Sequence, residues 1–198
     1  MSDVNFVKHR VFRETPDVIF YDISVEESNA SDLVIHEGPA ISPPDDKVGA
    51  KQFYIHYHQV DHNRVVSGER TFELVNFDWK YPYHIVHLNR TSGALVIPTN
   101  TYHRSISGEK GSIVINQAVR DDLFKAEREF VPVSAASDMD LYKAQLFEFK
   151  GSRMGYYMEM SDGNDMGLMS DMIRYSDPSQ SMQLMQGMML SVRASCAS

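Results

Sequence analysis

Hydrophobic and polar positions alternate over short stretches of this chain, a pattern that is typical of β-strands rather than helices. Between residues 49 and 119 such stretches recur at even intervals, separated by turn residues such as glycine, serine, proline and asparagine. Six strands are predicted there, over residues 52–58, 71–77, 83–88, 94–97, 102–106 and 112–118. Two more are predicted over residues 18–23 and 33–36. Short strands at this spacing predict an all-β sandwich or barrel.

The C-terminal part has a different pattern, because its apolar residues recur at helical spacing. Residues 138–149 are predicted to form a helix with Ser137 as the N-cap. Ten of the 12 methionines lie beyond residue 150, and several of them share one face of a second predicted helix. We interpret them as an apolar face that packs on the rest of the chain or on a second subunit. The predicted parts are an N-terminal arm (1–48), a barrel core (49–135) and a Met-rich, helical C-terminal extension (136–198).

The composition narrows the class of protein. The chain has 198 residues, of which 42% are hydrophobic and 23% charged, as in ordinary globular proteins. Its net charge of −8 argues against a general binder of nucleic acid or of anionic membranes. We find no apolar run of transmembrane length and no signal-peptide pattern, so we expect a cytoplasmic protein. The single cysteine, Cys196, excludes an internal disulfide and a cysteine-based zinc site.

Three of the eight histidines form an informative pattern. His56 and His58 are two positions apart in a predicted strand, so their side chains are expected on the same face. Two imidazoles about 6–7 Å apart can chelate one divalent ion when a third group meets them. His103 begins another predicted strand, and Asp61 or His62 is the candidate for a further ligand. The alternative is a polar pair on a solvated strand, but both faces carry bulky side chains, and a buried imidazole pair needs a partner.

This segment resembles the cupin family, which is named for a small barrel with two metal-site motifs. The first motif (Gly, His-x-His, an acidic or amide ligand, Gly) is matched by Gly49, His56-Tyr57-His58, Asp61 and Gly68. The second motif (Gly, Pro, a turn residue, His) is matched by Gly93, Pro98, Asn100 and His103. Asn100 stands where glycine is usual, and asparagine tolerates the left-handed turn conformation. The resemblance covers about 70 of the 198 residues.

The resemblance implies a site for one divalent transition metal, such as Fe, Mn, Ni, Zn or Cu. The family places its carboxylate four or five positions after the second histidine, whereas Asp61 follows His58 by three positions and His62 by four. Counting back from Gly68 favours Asp61 instead. The implied ligands are His56, His58, His62 and His103, with Asp61 as the alternative third ligand.

A second resemblance is to cupin-type deoxysugar epimerases and ketoisomerases. It rests on residues 61–68, the strand after them, Leu95-Val96-Ile97-Pro98 and Tyr102-His103. That similarity implies proton transfer beside a sugar carbonyl without a metal. It assigns His58 or His62 as the base, Tyr54 or Tyr102 as the proton donor, and Arg64 and Arg104 as candidates for binding a nucleotide diphosphate.

Taken together, the sequence predicts an all-β cupin barrel of the jelly-roll (double-stranded β-helix) type. The leading hypothesis is a metalloenzyme with a small-molecule substrate and dioxygenase, lyase or isomerase chemistry, in which Tyr54, Tyr102 and Arg64 are catalytic. The alternatives are a metal-independent carbohydrate or nucleotide-sugar epimerase or isomerase, and a cupin that binds a small molecule without catalysis. A homodimer is expected, with neither nucleic acid nor membrane as a partner.

Overall fold

The computed structural model describes residues 3–80, 82–138 and 141, together with the backbone of residues 155–158. The first five described strands, β1 to β5, are Asn5–Val7, Arg10–Thr15, Val18–Asp22, Ala30–His36 and Ile41–Ser42. The next five, β6 to β10, are Gln52–Ile55, Gln59–Val75, Tyr83–Asn89, Ala94–Ile97 and Tyr102–Arg120. The remaining elements are the short helix α1 (Ala126–Glu129), β11 (Val133–Ser134) and β12 (Gly155–Met158).

Ten of the described strands form one sheet, whose main hydrogen-bonded order is β1-β9-β7-β10-β6-β11. Strand β8 pairs with β7, whereas β4 and β5 pair with β10. These pairs are antiparallel, and β12 adds to β8 in parallel. Strands β2 and β3 form a separate two-stranded hairpin. The described residues are therefore all-β, as the alternating pattern predicts.

The long strands β7 and β10 pair along most of their length, with a register shift near Gly68. Ser107 pairs with Arg70 and Ser112 with Gly68, so the shift lies between these two pairs. Gly68 has a φ of 73°, and a Cβ atom there would lie 2.2 Å from the carbonyl oxygen of Gly111. A residue without a side chain is required at this position, because only glycine combines this conformation with so close a backbone contact.

The predicted strands are close to the observed ones, with differences that matter for the site. Strand β9 has the predicted bounds, and β8 begins where it is predicted to begin. The strands predicted over 102–106 and 112–118 are one strand, since β10 continues through the expected turn with only a register shift against β7. Strand β6 ends at Ile55 rather than at His58, and β7 begins at Gln59 rather than at Thr71.

The two faces of the sheet carry separate apolar clusters. We call the first the core cluster and its side of the sheet the inner face. The core cluster consists of Val4, Val65, Phe72, Leu74, Val86, Leu88, Leu95, Ile97 and Val114. The second, the outer cluster, consists of Phe53, Val75, Tyr83, Ala135 and Leu141. Neighbouring residues of a strand point to opposite faces, so each strand position is assigned to one cluster or the other.

The two helices predicted in the Met-rich part lie outside the described residues. The division into arm, core and extension stays a prediction. Within the part of the chain that the structure describes, no helix has both the length and the apolarity needed to cross a membrane.

Candidate functional site

The structure brings three of the predicted site residues together on the inner face: His56, Asp61 and His103. The Nε2 atom of His56 lies 3.6 Å from Oδ2 of Asp61, and the Nε2 atom of His103 lies 3.8 Å from the same oxygen. All three side chains are buried. One carboxylate oxygen thus faces two imidazole nitrogens in a site that is largely shielded from water.

Two long strands and one bend position these side chains. Asp61 lies in β7 opposite Ile97, and His103 lies in β10 opposite Leu74, so both belong to the face that carries the core cluster. His56 lies in the bend between β6 and β7, where its carbonyl oxygen accepts a 2.8 Å hydrogen bond from the backbone N–H of Asn100. Asn100 has a φ of 60°, which confirms the predicted left-handed turn.

Backbone carbonyl groups fix the tautomer of both histidines. The Nδ1 atom of His56 lies 3.0 Å from the carbonyl oxygen of Glu129, and that of His103 lies 3.1 Å from the carbonyl oxygen of Thr101. A carbonyl oxygen only accepts hydrogen bonds, so each Nδ1 must carry the proton. In the neutral rings, each Nε2 is left with a lone pair, and these are the atoms nearest to the carboxylate of Asp61.

The electrostatic surroundings keep His103 uncharged. Burial lowers the pKa of His103 to about 4, an effect that nearby Asp61 opposes and nearby His56 reinforces. The two imidazole centroids are 4.8 Å apart, so protonation of one ring disfavours protonation of the other. His103 is therefore a neutral imidazole at pH 7.

The other two predicted histidine ligands lie away from this cluster. Nδ1 of His58 is 2.9 Å from the carboxylate of Asp121 at a partly exposed position, and this hydrogen bond lowers the pKa of Asp121. Nδ1 of His62 is 3.0 Å from the carbonyl oxygen of Gln117. Among the described residues, the four-histidine set is not brought together. The prediction that His56 and His58 share one face is wrong, because residues 56–58 form a bend, where strand alternation does not apply.

The two predicted tyrosines lie on opposite sides of the sheet. The Tyr54 ring is 6.5 Å from the His56 ring and 6.2 Å from the His103 ring, and its hydroxyl makes no hydrogen bond to the described residues. Tyr102 packs against the outer cluster, and its hydroxyl donates to Asp138 at 3.1 Å. Tyr54 therefore borders the site, whereas Tyr102 belongs to the packing of the opposite face.

The predicted phosphate-binding arginines are also engaged elsewhere. Arg64 contacts Nδ1 of His9. Arg104 follows His103 in β10 and so points to the outer face, where its Nη1 atom is 2.9 Å from Asp45 and its guanidinium lies over the Phe53 ring. The structure does not bring either arginine to the three clustered residues.

Two residues at the site are absent from the sequence prediction. Glu129 is buried, and its carboxylate accepts a 2.7 Å hydrogen bond from the backbone N–H of Tyr57. The Phe130 ring meets the His56 ring edge-on at 5.2 Å and is 43% exposed. Both lie more than seventy positions after His56 in a segment without a motif, so no local signal could have identified them.

Comparison with known proteins gives a likeness in structure only. No family model matches the chain, and no curated protein matches it. The dTDP-4-dehydrorhamnose 3,5-epimerase of Elizabethkingia anophelis is 11% identical with a TM-score of 0.50, covering 70% of this chain and 78% of that one. The enzyme of that name from Bacillus anthracis, crystallised with TDP and PPi bound, is 13% identical with a TM-score of 0.50, covering 70% and 82%. At this identity the likeness concerns the fold alone, and it confirms the predicted cupin-type, jelly-roll fold.

Proposed function

Starting from this cupin-type fold, we propose that the chain is an epimerase or isomerase that moves a proton at a carbon beside the carbonyl of a nucleotide-linked sugar. The observation that carries the proposal is the buried group in which the Nε2 atoms of His56 and His103 both face one oxygen of Asp61. Such a group can take up a proton and hold the resulting charge.

The chemistry requires a base, a group that stabilises the charged base, and a proton donor. A neutral Nε2 of His56 or His103 removes the proton from the carbon, leaving an enolate on the substrate. The imidazolium formed is stabilised by Oδ2 of Asp61, which lies 3.6 and 3.8 Å from the two nitrogens. Tyr54 is assigned as the group that returns a proton to the enolate, because its hydroxyl makes no hydrogen bond to the described part of the chain and its ring borders both imidazoles.

The substrate class rests on the structural neighbours. Both of the neighbours described above carry the name of a nucleotide-sugar epimerase, and one was crystallised with TDP. With 11% and 13% identity they support a fold, so the class of sugar nucleotide is the proposal rather than a finding. The names of these neighbours favour a metal-independent nucleotide-sugar epimerase or isomerase over the metalloenzyme that was the leading hypothesis from the sequence.

The test is deuterium exchange. The protein is incubated with dTDP-4-dehydrorhamnose in deuterated water, and deuterium on sugar carbons is followed by NMR and mass spectrometry. We expect incorporation at the carbons next to the carbonyl, and its loss in His103→Gln and His56→Gln. Binding of this nucleotide without exchange, by a correctly folded protein, contradicts the proposal and indicates a cupin that binds without catalysis.

A second candidate function is a metal centre at the same three residues. One donor atom from each of His56, Asp61 and His103 lies within 4.8 Å of the others. A backbone carbonyl accepts the Nδ1 proton of each histidine, as is usual for metal-ligating imidazoles. These donors suit Fe, Mn, Ni, Zn or Cu, and a bound ion would polarise a substrate carbonyl.

Elemental analysis of the purified parent protein and of the His56→Ala variant tests for this metal centre. A metal present in near-stoichiometric amount in the parent and absent from the variant supports it. Full deuterium exchange after prolonged chelation, with no metal detectable, contradicts a metal-dependent reaction. The homodimer and the cytoplasmic location stay predictions of the sequence.

A further inference from the structure

The Asp61 carboxylate is held by a chain of hydrogen bonds that begins at the end of β10. Arg120 donates from Nε to Oε1 of Gln59 at 2.7 Å, and Gln59 donates from Nε2 to Oδ1 of Asp61 at 2.6 Å. Asn116 donates a second hydrogen bond to the same Oδ1, at 2.7 Å. Oδ1 is thus occupied twice, which leaves Oδ2 to face His56 and His103.

Gln59 can act in only one orientation. The residue is 1% exposed, so water cannot replace a lost partner. The carboxylate of Asp61 requires an N–H donor, and the guanidinium of Arg120 requires an acceptor, so the amide nitrogen must face Asp61 and the amide oxygen must face Arg120. Reversal of the amide would place like groups together on both sides.

Arg120 is fixed by two further contacts on the far side of Gln59. Its Nη2 atom donates to Oδ2 of Asp32 at 3.0 Å, and its guanidinium lies 4.3 Å from the centre of the Phe124 ring. Phe124 in turn contacts Phe130, whose ring meets His56. The same arginine therefore connects to the site by a polar path and by an aromatic one.

We propose that Gln59 and Arg120 are positioning residues of the site, which aim Oδ2 of Asp61 at the two imidazoles through the amide of Gln59. The inference rests on the proposed function only for its effect on exchange. The placement of Asp61 itself can be tested whatever reaction the site performs.

The decisive variants are Gln59→Glu and Gln59→Met. Gln59→Glu keeps an acceptor for Arg120 but sets a carboxylate against Oδ1 of Asp61, whereas Gln59→Met keeps a similar volume and removes the donor. Crystal structures of both should show Oδ2 of Asp61 displaced from Nε2 of His103 by about 1 Å or more, beyond the tolerance of such sites. Deuterium exchange should fall about tenfold to a hundredfold, and furthest in Gln59→Glu.

Arg120→Met is the second variant, in case the buried substitutions do not fold. We expect it to lower exchange and displace Asp61 in the same direction, but less. Arg128→Met is the matched control, because Arg128 is an exposed arginine of α1. It should leave both the Asp61 position and the exchange rate unchanged.

The outcomes separate this inference from the proposed function. An unmoved Asp61 in the folded Gln59 and Arg120 variants overturns the inference, even if exchange falls. A displaced Asp61 supports it, even if the parent protein shows no exchange. Absence of exchange in the parent contradicts only the proposed function. Where the parent protein does exchange deuterium, a rate that falls no further in Gln59→Glu than in Arg128→Met contradicts the expected effect of Gln59 on the reaction.

Discussion

The site is built from two kinds of local structure, and they obey different rules. In the strands β7 and β10, Asp61 and His103 face inward, while their neighbours His62 and Tyr102 do not join them. In the bend between β6 and β7, His56 faces inward and His58 pairs with Asp121. Asp61 and His103 follow the alternation of strand side chains. His56 and His58 are two positions apart in the bend, yet their side chains point to different places.

The difference lies in what holds each side chain. The hydrogen bonds along the whole strand orient each of its residues, so the face to which a side chain points follows from the position of the residue in the strand. The orientation of His56 instead depends on contacts from distant segments, namely the carbonyl of Glu129, the N–H of Asn100 and the Phe130 ring. The bend is therefore the part of the site most sensitive to changes elsewhere.

The largest expected effect divides the four predicted histidine ligands into two pairs. Substitution of His56 or His103 by alanine should lower deuterium exchange by about a hundredfold or more, because each removes a group that can act as the base. His58→Ala and His62→Ala should change it by less than about threefold, as expected for residues outside the group. Exchange rates of the four purified variants, each checked for folding by circular dichroism, measure this.

Equal losses in all four variants would contradict the division. That result would mean that all four imidazoles meet when substrate binds. It would restore the four-histidine ligand set of the sequence analysis.

The two strand tyrosines, Tyr54 on the inner face and Tyr102 on the outer face, allow a second comparison of a residue at the site with one away from it. Tyr54→Phe should lower exchange about tenfold to a hundredfold, because it removes the assigned proton donor while keeping the ring. Tyr102→Phe should leave exchange nearly unchanged and lower the midpoint of thermal unfolding, because its hydroxyl donates to Asp138 on the opposite face. A loss of exchange in Tyr102→Phe that exceeds the loss in Tyr54→Phe would reverse the assignment of inner and outer faces.

Much of the fold could be predicted from local pattern, because the alternation of apolar and polar residues indicates strands and residues such as glycine, proline and asparagine indicate turns. Strand β9 and the left-handed turn at Asn100 are examples. The place of His103 at the site could also be anticipated, because a single histidine after the turn at Pro98 belongs to a recognisable motif, whereas the sequence assigns the further ligand to His62 with Asp61 only as the alternative.

What could not be predicted depends on tertiary contacts between distant segments. The sequence left Asp61 and His62 as alternatives, and only the pairing of Asp61 with Ile97 of the core cluster shows which of them faces inward. Glu129 reaches the bend from a one-turn helix without a motif, and Gln59 and Arg120 are 61 positions apart. No rule of spacing connects such pairs, because only the folded sheet brings them together.

A smaller effect is expected on stability at acid pH. The unfolded chain binds a proton at a histidine below about pH 6.5, but His103 in the folded protein stays neutral down to about pH 4. The unfolded state then binds more protons, so the free energy of unfolding should fall as the pH falls through this window. Urea unfolding between pH 7 and pH 4 should show the decline, and His103→Gln should make it shallower. The remaining decline belongs to other groups such as His36 and His87, because burial lowers the pKa of these histidines too. An equally steep decline in the variant would assign the effect to other groups.

The smallest expected effect concerns Asn100, which connects the two regions. Its left-handed backbone, with a φ of 60°, places its N–H against the carbonyl oxygen of His56. Asn100→Gly preserves that conformation and should be nearly neutral. Asn100→Ala should lower the free energy of unfolding by about 1 kcal/mol, because alanine lacks the short polar side chain by which asparagine tolerates the left-handed conformation. Exchange in Asn100→Ala should fall slightly more than in Asn100→Gly at equal folded fraction, because the carbonyl held by this turn belongs to His56. Equal exchange in the two variants would mean that Glu129 and Phe130 hold the His56 ring without help from Asn100.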